Sequence, residues 1–297
     1  MSLEASAGAT VGLAEDSVVH RFSHEAMATV FEVRAVHADA AYARQAAHAG
    51  FALVDRLEQQ LSRFVPNSDI ARINSLSAGK DTRVSPDAME CLVIARHLHT
   101  LTDGAFDVSI GSGLARLELE VEELLVHALA DGVRLDLGGI GKGYAVDRLA
   151  TVLEEWGLER VLVHGGWSSV LALEPPPDRD SWPLTLSTPG PGVTTLLARV
   201  AARQRALSAS GTRKGSHILD PRTGQSVAEG AIWVSLPRSR EEGHSTAAVA
   251  EGLSTAFMVL PRERVEELCL QNPGLEAWLL VEPSPGKQAV LHMGAPG

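Results

Sequence analysis

Between Val133 and Asp147 the chain runs VRLDLGGIGKGYAVD: a short apolar strand, a glycine turn and the start of an amphipathic helix that carries a lysine. These are the parts of an anion site. Gly138, Gly139, Gly141 and Gly143 allow positive φ and close backbone approach. Their N–H groups could face a phosphate at the positive end of the helix dipole, with Lys142 adding a full charge. The same glycines suit a turn built for packing alone, and neither the P-loop pattern nor the dinucleotide fingerprint is met. Farther on, HILDPRTG (His217 to Gly224) is an Asp-Pro turn with His217 and Arg222 added to what such a turn needs. In AVAEGLSTAFMVL, Glu251, Ser254 and Thr255 lie at i, i+3 and i+4 on one helix face. Three oxygen donors there suit a hard cation such as Mg2+. The alternative is a solvated Glu251 with both hydroxyls bonded back to preceding carbonyls.

In order and spacing these segments resemble the ApbE family of flavin transferases, which move FMN from FAD onto a protein threonine or serine. Met27-Ala28-Thr29 resembles the family's Met-Gly-Thr, LSRFVPNSDIARIN (Leu61 to Asn74) its Ser-x-Tyr and Ser-acidic-Ile-x-x-Asn, and DGAFD (Asp103 to Asp107) its Gly-x-Phe-Asp. DLGGIGKGYAVD, the glycine pair within Val163 to Trp167, Ser210-Gly211, HILDPRTG and the late helix complete the match. The resemblance implies an α+β, T-fold-like architecture of two antiparallel-sheet lobes with helices and FAD between them. It implies that Met27 and Phe64 flank the flavin or adenine end, and that Ala105, Phe106 and Asp107 hold the cofactor through backbone and side chain. Asp136 and Lys142 would contact FAD, with Lys142 near the pyrophosphate, and His217 would stand beside the diphosphate as acid or base. The Gly139 carbonyl, Glu251, Ser254 and Thr255 would surround Mg2+.

The implied activity is a Mg2+-dependent FAD:protein FMN transferase whose partner is an acceptor protein offering a Thr or Ser hydroxyl. Glu251 stands where the family usually has aspartate, and Phe64, Ala28 and Ala209 replace a tyrosine, a glycine and a threonine. Water as the attacking group would make the chain an FAD pyrophosphatase giving FMN and AMP. Binding without turnover would make it an inactive FAD-binding protein.

The elements that must position these residues follow from periodicity. A strand is expected over Thr29–Val36, then helices from about Asp39 to Leu61 and from Ser85-Pro86 to Thr102. An acidic helix is expected at LELEVEELL (Leu117 to Leu125), and another after the glycine turn, ending at Gly157. Strand-like runs follow at Arg160–Val163, Ser168–Leu173, Leu184–Ser187, Thr194–Val200 and Ala231–Leu236. Helices at Ser245–Leu260 and Pro261–Leu270 then precede strands at Ala277–Glu282 and Gln288–Met293. Residues 1–20 are expected to be disordered and 21–297 to form one domain.

With 45% hydrophobic residues and 21% charged among 297, the composition is that of a globular protein. A net charge of −11 with dispersed acidic residues excludes an electrostatic footprint for nucleic acid, so phosphate binding must be local. Cys91 and Cys269 have no metal or disulfide spacing and are read as buried and reduced, while Trp167, Trp182 and Trp233 are read first as core. His48, His97, His99 and His164 are read as surface or half-buried. No run approaches the roughly eighteen apolar residues of a membrane span, and residues 1–20 lack the basic start and apolar run of a signal peptide. The chain as given is expected to be cytoplasmic, or periplasmic or membrane-anchored if a leader has been removed.

Overall fold

The computed structural model describes residues 10–13, 19–189, 194–212, 218–227, 230–239, 245–284 and 287–295. In chain order its elements are β1 (Thr10–Leu13), β2 (His20–Ala26), β3 (Thr29–Ala35), α1 (Ala40–Leu61), α2 (Asp69–Asn74), β4 (Asp81–Arg83), α3 (Pro86–Leu101), β5 (Leu117–Glu120), β6 (Leu125–Ala128), α4 (Gly141–Glu155), β7 (Val161–Gly165), β8 (Ser169–Ala172), β9 (Trp182–Pro189), β10 (Thr194–Ala202), β11 (Arg205–Gly211), β12 (Ala231–Pro237), α5 (Thr246–Phe257), α6 (Arg262–Gln271), β13 (Glu276–Ser284) and β14 (Lys287–Met293).

Eight strands in the order β14-β13-β12-β11-β8-β7-β3-β2 form one antiparallel sheet, whose two four-stranded halves join where β11 pairs with β8. Because side chains alternate across a strand, Phe31, Val33, Val163, Leu171, Ile232 and Val234 enter the core that also buries α1, α4 and α5. Leu162, Val170, Leu207, Trp233 and Trp278 enter a second core closed by Trp182, Leu184 and Leu186 of β9, in the small sheet β1-β9-β10. This is the α+β layout of antiparallel halves and helices expected from the sequence. Trp182 and Trp233 are core as read, and Cys91 and Cys269 are buried free thiols. Among the described residues, no helix is long and apolar enough to cross a membrane.

Capping residues start the helices where expected. Asp39 accepts from the N–H groups of Ala41 and Tyr42 at 2.8 and 3.1 Å, and Ser85 accepts from Ala88 at 3.2 Å with Pro86 in the first turn. Gly157, at φ +74°, ends α4. Three expectations change. LELEVEELL is no helix: Leu117–Glu120 and Leu125–Ala128 pair as a hairpin, because the strict Leu-Glu alternation buries Leu117 while exposing Glu118. Thr10–Leu13, within the stretch expected to be disordered, pairs with Leu184–Ser187. Val133–Leu135 joins no sheet. It is an extended segment pinned by Asn74, whose side chain donates to the Leu135 carbonyl at 3.0 Å and accepts from its N–H at 2.6 Å. The RALSASG run is the central strand β11.

Two buried contacts set the positions of the elements around the glycine turn. At the α4–α5 crossing, Asp147 accepts from Ala247 N–H on Oδ1 and from Ala248 N–H on Oδ2, both at 3.0 Å, so one helix caps the other. Burial pushes its carboxyl up to about 7, against the pull of those two N–H groups and of Arg238. On β3, Glu32 accepts from Arg34 at 2.9 Å and meets Arg21 and, at 3.2 Å, His164 Nε2. The His164 Nδ1 contacts the Gly166 carbonyl at 2.8 Å. Burial favours protonation of Glu32, but the hydrogen bonds and charges of His164 and Arg34 outweigh it and hold the carboxyl at about 2.

These contacts generate two predictions. A Cβ on Gly143 would stand 2.3 Å from the Ala247 carbonyl oxygen, backbone that cannot move aside, so Gly143→Ala is expected to lose about 2–3 kcal/mol in chemical denaturation. Unfolded Glu32 titrates near 4.5 and folded Glu32 near 2, so its contribution is present above pH 4.5 and lost as pH falls toward 2. That loss is on the order of 3 kcal/mol. Glu32→Gln is expected to flatten this acid limb. Asp147 acts oppositely: its contribution is full below about pH 4 and lost as pH rises through about 7.

Candidate functional site

A cavity of about 680 Å3 opens where the β2–β3 turn, the glycine turn, α5, β11 and the loops after α3 and β7 converge. Met27, Ala105, Phe106, Asp107, Asp136, Gly139, Lys142, Glu251 and Thr255 line it, so most residues singled out in the sequence share one space. Three do not. Phe64 is 78% exposed and is not part of the wall. Ser254 is fully buried, donating to the Glu251 carbonyl at 2.8 Å and pairing with Ser210 Oγ at 2.8 Å, so Ser210 lines the cavity in its place. His217 lies outside the described residues, although Ile218, Leu219 and Pro221 of the same motif are in the wall.

The glycine turn works by close approach rather than by positive φ. None of Gly138, Gly139, Gly141 and Gly143 is left-handed. A Cβ on Gly139 would come within 3.0 Å of the Phe106 ring, and Gly143 meets Ala247 as described. Left-handed residues of the wall include Met27 and Ala28, at φ 50° and 55°, the pair of positive values that a two-residue hairpin turn between twisted strands requires. Neither is glycine, so the turn holds strain at the cavity wall.

Glu251 reaches across from α5 to the start of α4. One carboxylate oxygen accepts from the Gly143 N–H at 2.6 Å, and the other meets the Lys142 ammonium, which also lies 3.4 Å from the Gly138 carbonyl. The carboxylate occupies an amide of the α4 N-terminus, where a phosphate oxygen could bind, and the ammonium occupies the place of a cation. Thr255 Oγ1 and Ser210 Oγ, 3.4 Å apart, face the same space. Hard oxygen donors beside a carboxylate that already holds a positive charge fit Mg2+. Among the described residues no group of three or more His, Cys, Asp or Glu side chains is arranged for a metal, so such a site rests on one carboxylate with hydroxyl and carbonyl oxygens.

The remaining predicted contacts hold the wall. Asp107 accepts from Ser109 N–H and Oγ at 2.8 and 2.6 Å and from Gly111 N–H at 3.0 Å, which shapes its own loop. The Phe106 N–H is taken by Thr102 Oγ1 at 3.0 Å, and its carbonyl lies 3.2 Å from His99 Nδ1. Gly111, at φ +77°, lets that loop press on the Pro221 carbonyl, where a Cβ would come within 2.9 Å. The Arg222 guanidinium is spent on Asp220, with two contacts of 2.9 Å. Asp136 accepts from Gly138 N–H at 2.9 Å and pairs with Arg63 Nε at 2.9 Å.

Trp167, read from the sequence as core, is instead 58% exposed and lines the cavity, as does Arg63, which the sequence did not single out. A tryptophan directly after two glycines, outside the strand alternation, was the available signal for Trp167. For Ser210 it was the alternation with Ser208 on β11. Arg63 left no signal beyond its place between Ser62 and Phe64.

The model of the ApbE family matches residues 27–279. The FAD:protein FMN transferase of Klebsiella pneumoniae is 23% identical, over 88% of this chain and 83% of its own. That of Salmonella typhimurium is 24% identical over the same shares. The apo flavinyl transferase ApbE of Pseudomonas stutzeri superposes with a TM-score of 0.78 at 25% identity, over 93% of this chain and 94% of its own. The Vibrio cholerae flavin transferase ApbE does so with a TM-score of 0.78 at 19% identity, over 93% and 97%, a likeness of fold. With the family model spanning all the cavity segments from Met27 to Thr255, the chain belongs to the ApbE family.

Proposed function

We propose that this chain transfers FMN from FAD to a Thr or Ser hydroxyl of an acceptor protein, releasing AMP. The observation that carries it is the Lys142–Glu251 pair at the start of α4, facing a cavity lined by hydroxyls, together with relatives that bear the name of that activity. In the reaction the acceptor oxygen bonds to the phosphorus on the FMN side of the diphosphate. The bond from that phosphorus to the bridging oxygen breaks, and AMP departs with the electron pair. Negative charge grows on the phosphoryl oxygens, and the Lys142 ammonium is placed to leave Glu251 and meet it.

Glu251, Thr255 and the Gly139 carbonyl would hold Mg2+, with Ser210 in the role the sequence gives to Ser254. When bound, Mg2+ neutralises charge on the diphosphate and so lowers the barrier to attack. The Gly143 N–H, freed from Glu251, becomes a donor to phosphate at the helix N-terminus. The family resemblance makes His217 the group that takes the acceptor proton. Met27, Ala105, Phe106, Asp107 and Asp136 form the wall against which FAD is held.

Incubating the protein with FAD, Mg2+ and a peptide carrying a Thr or Ser acceptor, while following AMP release and peptide mass, tests this. The expected result is a peptide heavier by one FMN per AMP released, with the rate cut about a hundredfold or more in Glu251→Ala and in Lys142→Ala. AMP released at an unchanged rate in both variants would contradict the assignment of that pair.

A further inference from the structure

The cavity wall beside Asp136 is made by Arg63, not by its aromatic neighbour Phe64. The Arg63 guanidinium carbon lies 4.4 Å from the centroid of the Phe64 ring, so one face of the cation is backed by that ring. Its Nε is held by Asp136 Oδ2 at 2.9 Å, and the other oxygen of Asp136 is held by Gly138 N–H. The loop beneath is braced as well. Ser68 Oγ donates to the Ser62 carbonyl at 2.7 Å, and the Phe64 N–H donates to Ser62 Oγ at 3.2 Å.

A long side chain is thus held at two points, by the Phe64 ring and by Asp136, with 44% of it exposed. Among the described residues no protein acceptor is placed on its two terminal amino groups. A planar guanidinium stacks on flat rings, and its in-plane N–H groups meet ring carbonyl oxygens and ring nitrogens.

We propose that Arg63, backed by Phe64 and braced by Asp136, is the surface on which one planar heteroaromatic ring of the bound flavin dinucleotide rests. This rests on the flavin-nucleotide reading of the cavity above. It reassigns the ring contact that the family resemblance implies for Phe64: Phe64 supports the plate and Arg63 is the plate. Lysine could keep the charge contact with Asp136 but offers no plane, so the role is specific to arginine.

Equilibrium titration of the purified protein with FAD, followed by flavin fluorescence and visible absorbance, tests the proposal, with FMN and ADP titrated separately. Arg63→Ala is expected to weaken FAD about tenfold and to shift the visible spectrum of bound flavin if the ring is the isoalloxazine. Arg63→Lys is expected to give no recovery, and Phe64→Ala a smaller loss than Arg63→Ala. A loss confined to FMN assigns the plate to the flavin ring, and one confined to ADP assigns it to adenine. Arg63→Gln, with its thermal midpoint compared to wild type, guards against a folding defect in the alanine variant.

The proposal is overturned by unchanged FAD affinity in both Arg63→Ala and Arg63→Gln, by full recovery in Arg63→Lys, by a larger loss in Phe64→Ala, or by equal losses for FMN and ADP. Wild-type protein that binds no FAD would overturn the flavin-nucleotide reading together with it. FAD binding that ignores Arg63 overturns this proposal alone.

Discussion

The Glu251 carboxylate, shared between the Gly143 N–H and the Lys142 ammonium, ties the middle of α5 to the first turn of α4. A buried carboxylate without such partners would be costly, and a helix N-terminus without an acceptor would leave orphan amides. Each need meets the other here. The contact is possible because Gly143 has no Cβ to strike the Ala247 carbonyl, and because Asp147, one turn farther along α4, caps the start of α5. Two helices locked at two points carry Lys142, Glu251 and Thr255 into one cavity, and Ser210 joins them from the sheet strand that α5 covers.

Other parts of the site are held by short polar clamps of their own. Asn74 grips the backbone of Leu135, just ahead of Asp136 and the glycine turn. Asp69 accepts from Ser85 N–H and Oγ, which joins α2 to the start of α3, and so to the loop that ends at Asp107. On the opposite side Glu32 and His164 hold the Gly166 carbonyl, next to Trp167 at the cavity mouth. The polar residues of the family motifs therefore divide into a few that face the cavity and more that aim them. Asp107 does both, lining the cavity while its oxygens shape its own loop.

Much of this was legible in the letters where a residue's role is local. Ser85-Pro86, Asp39 and Gly157 marked helix ends, since capping depends on the adjacent backbone. The spacing of Glu251 and Thr255 brought both to the cavity because i and i+4 share a helix face. Ser254, at i+3, turned into the protein, where the serines of β11 were waiting for a partner. No spacing rule reports the far side of a contact. The glycines illustrate the same limit: their number was visible, but whether they served positive φ or close packing depended on Phe106 and Ala247, distant in sequence. LELEVEELL was misjudged because its acidic content suggested a solvated helix, while its period of two carried the correct answer. Arg63 was invisible because its meaning lies in Phe64 and Asp136 together.

The most direct test is anomalous diffraction from crystals grown with Mn2+ and ADP, since manganese takes the same oxygen donors as magnesium and can be located by its own scattering. The account predicts a manganese peak within bonding distance of Glu251 and Thr255, with the diphosphate at the N-terminus of α4 and Lys142 moved from Glu251 onto it. A bound nucleotide with Lys142 still on Glu251, or with manganese elsewhere, would contradict it.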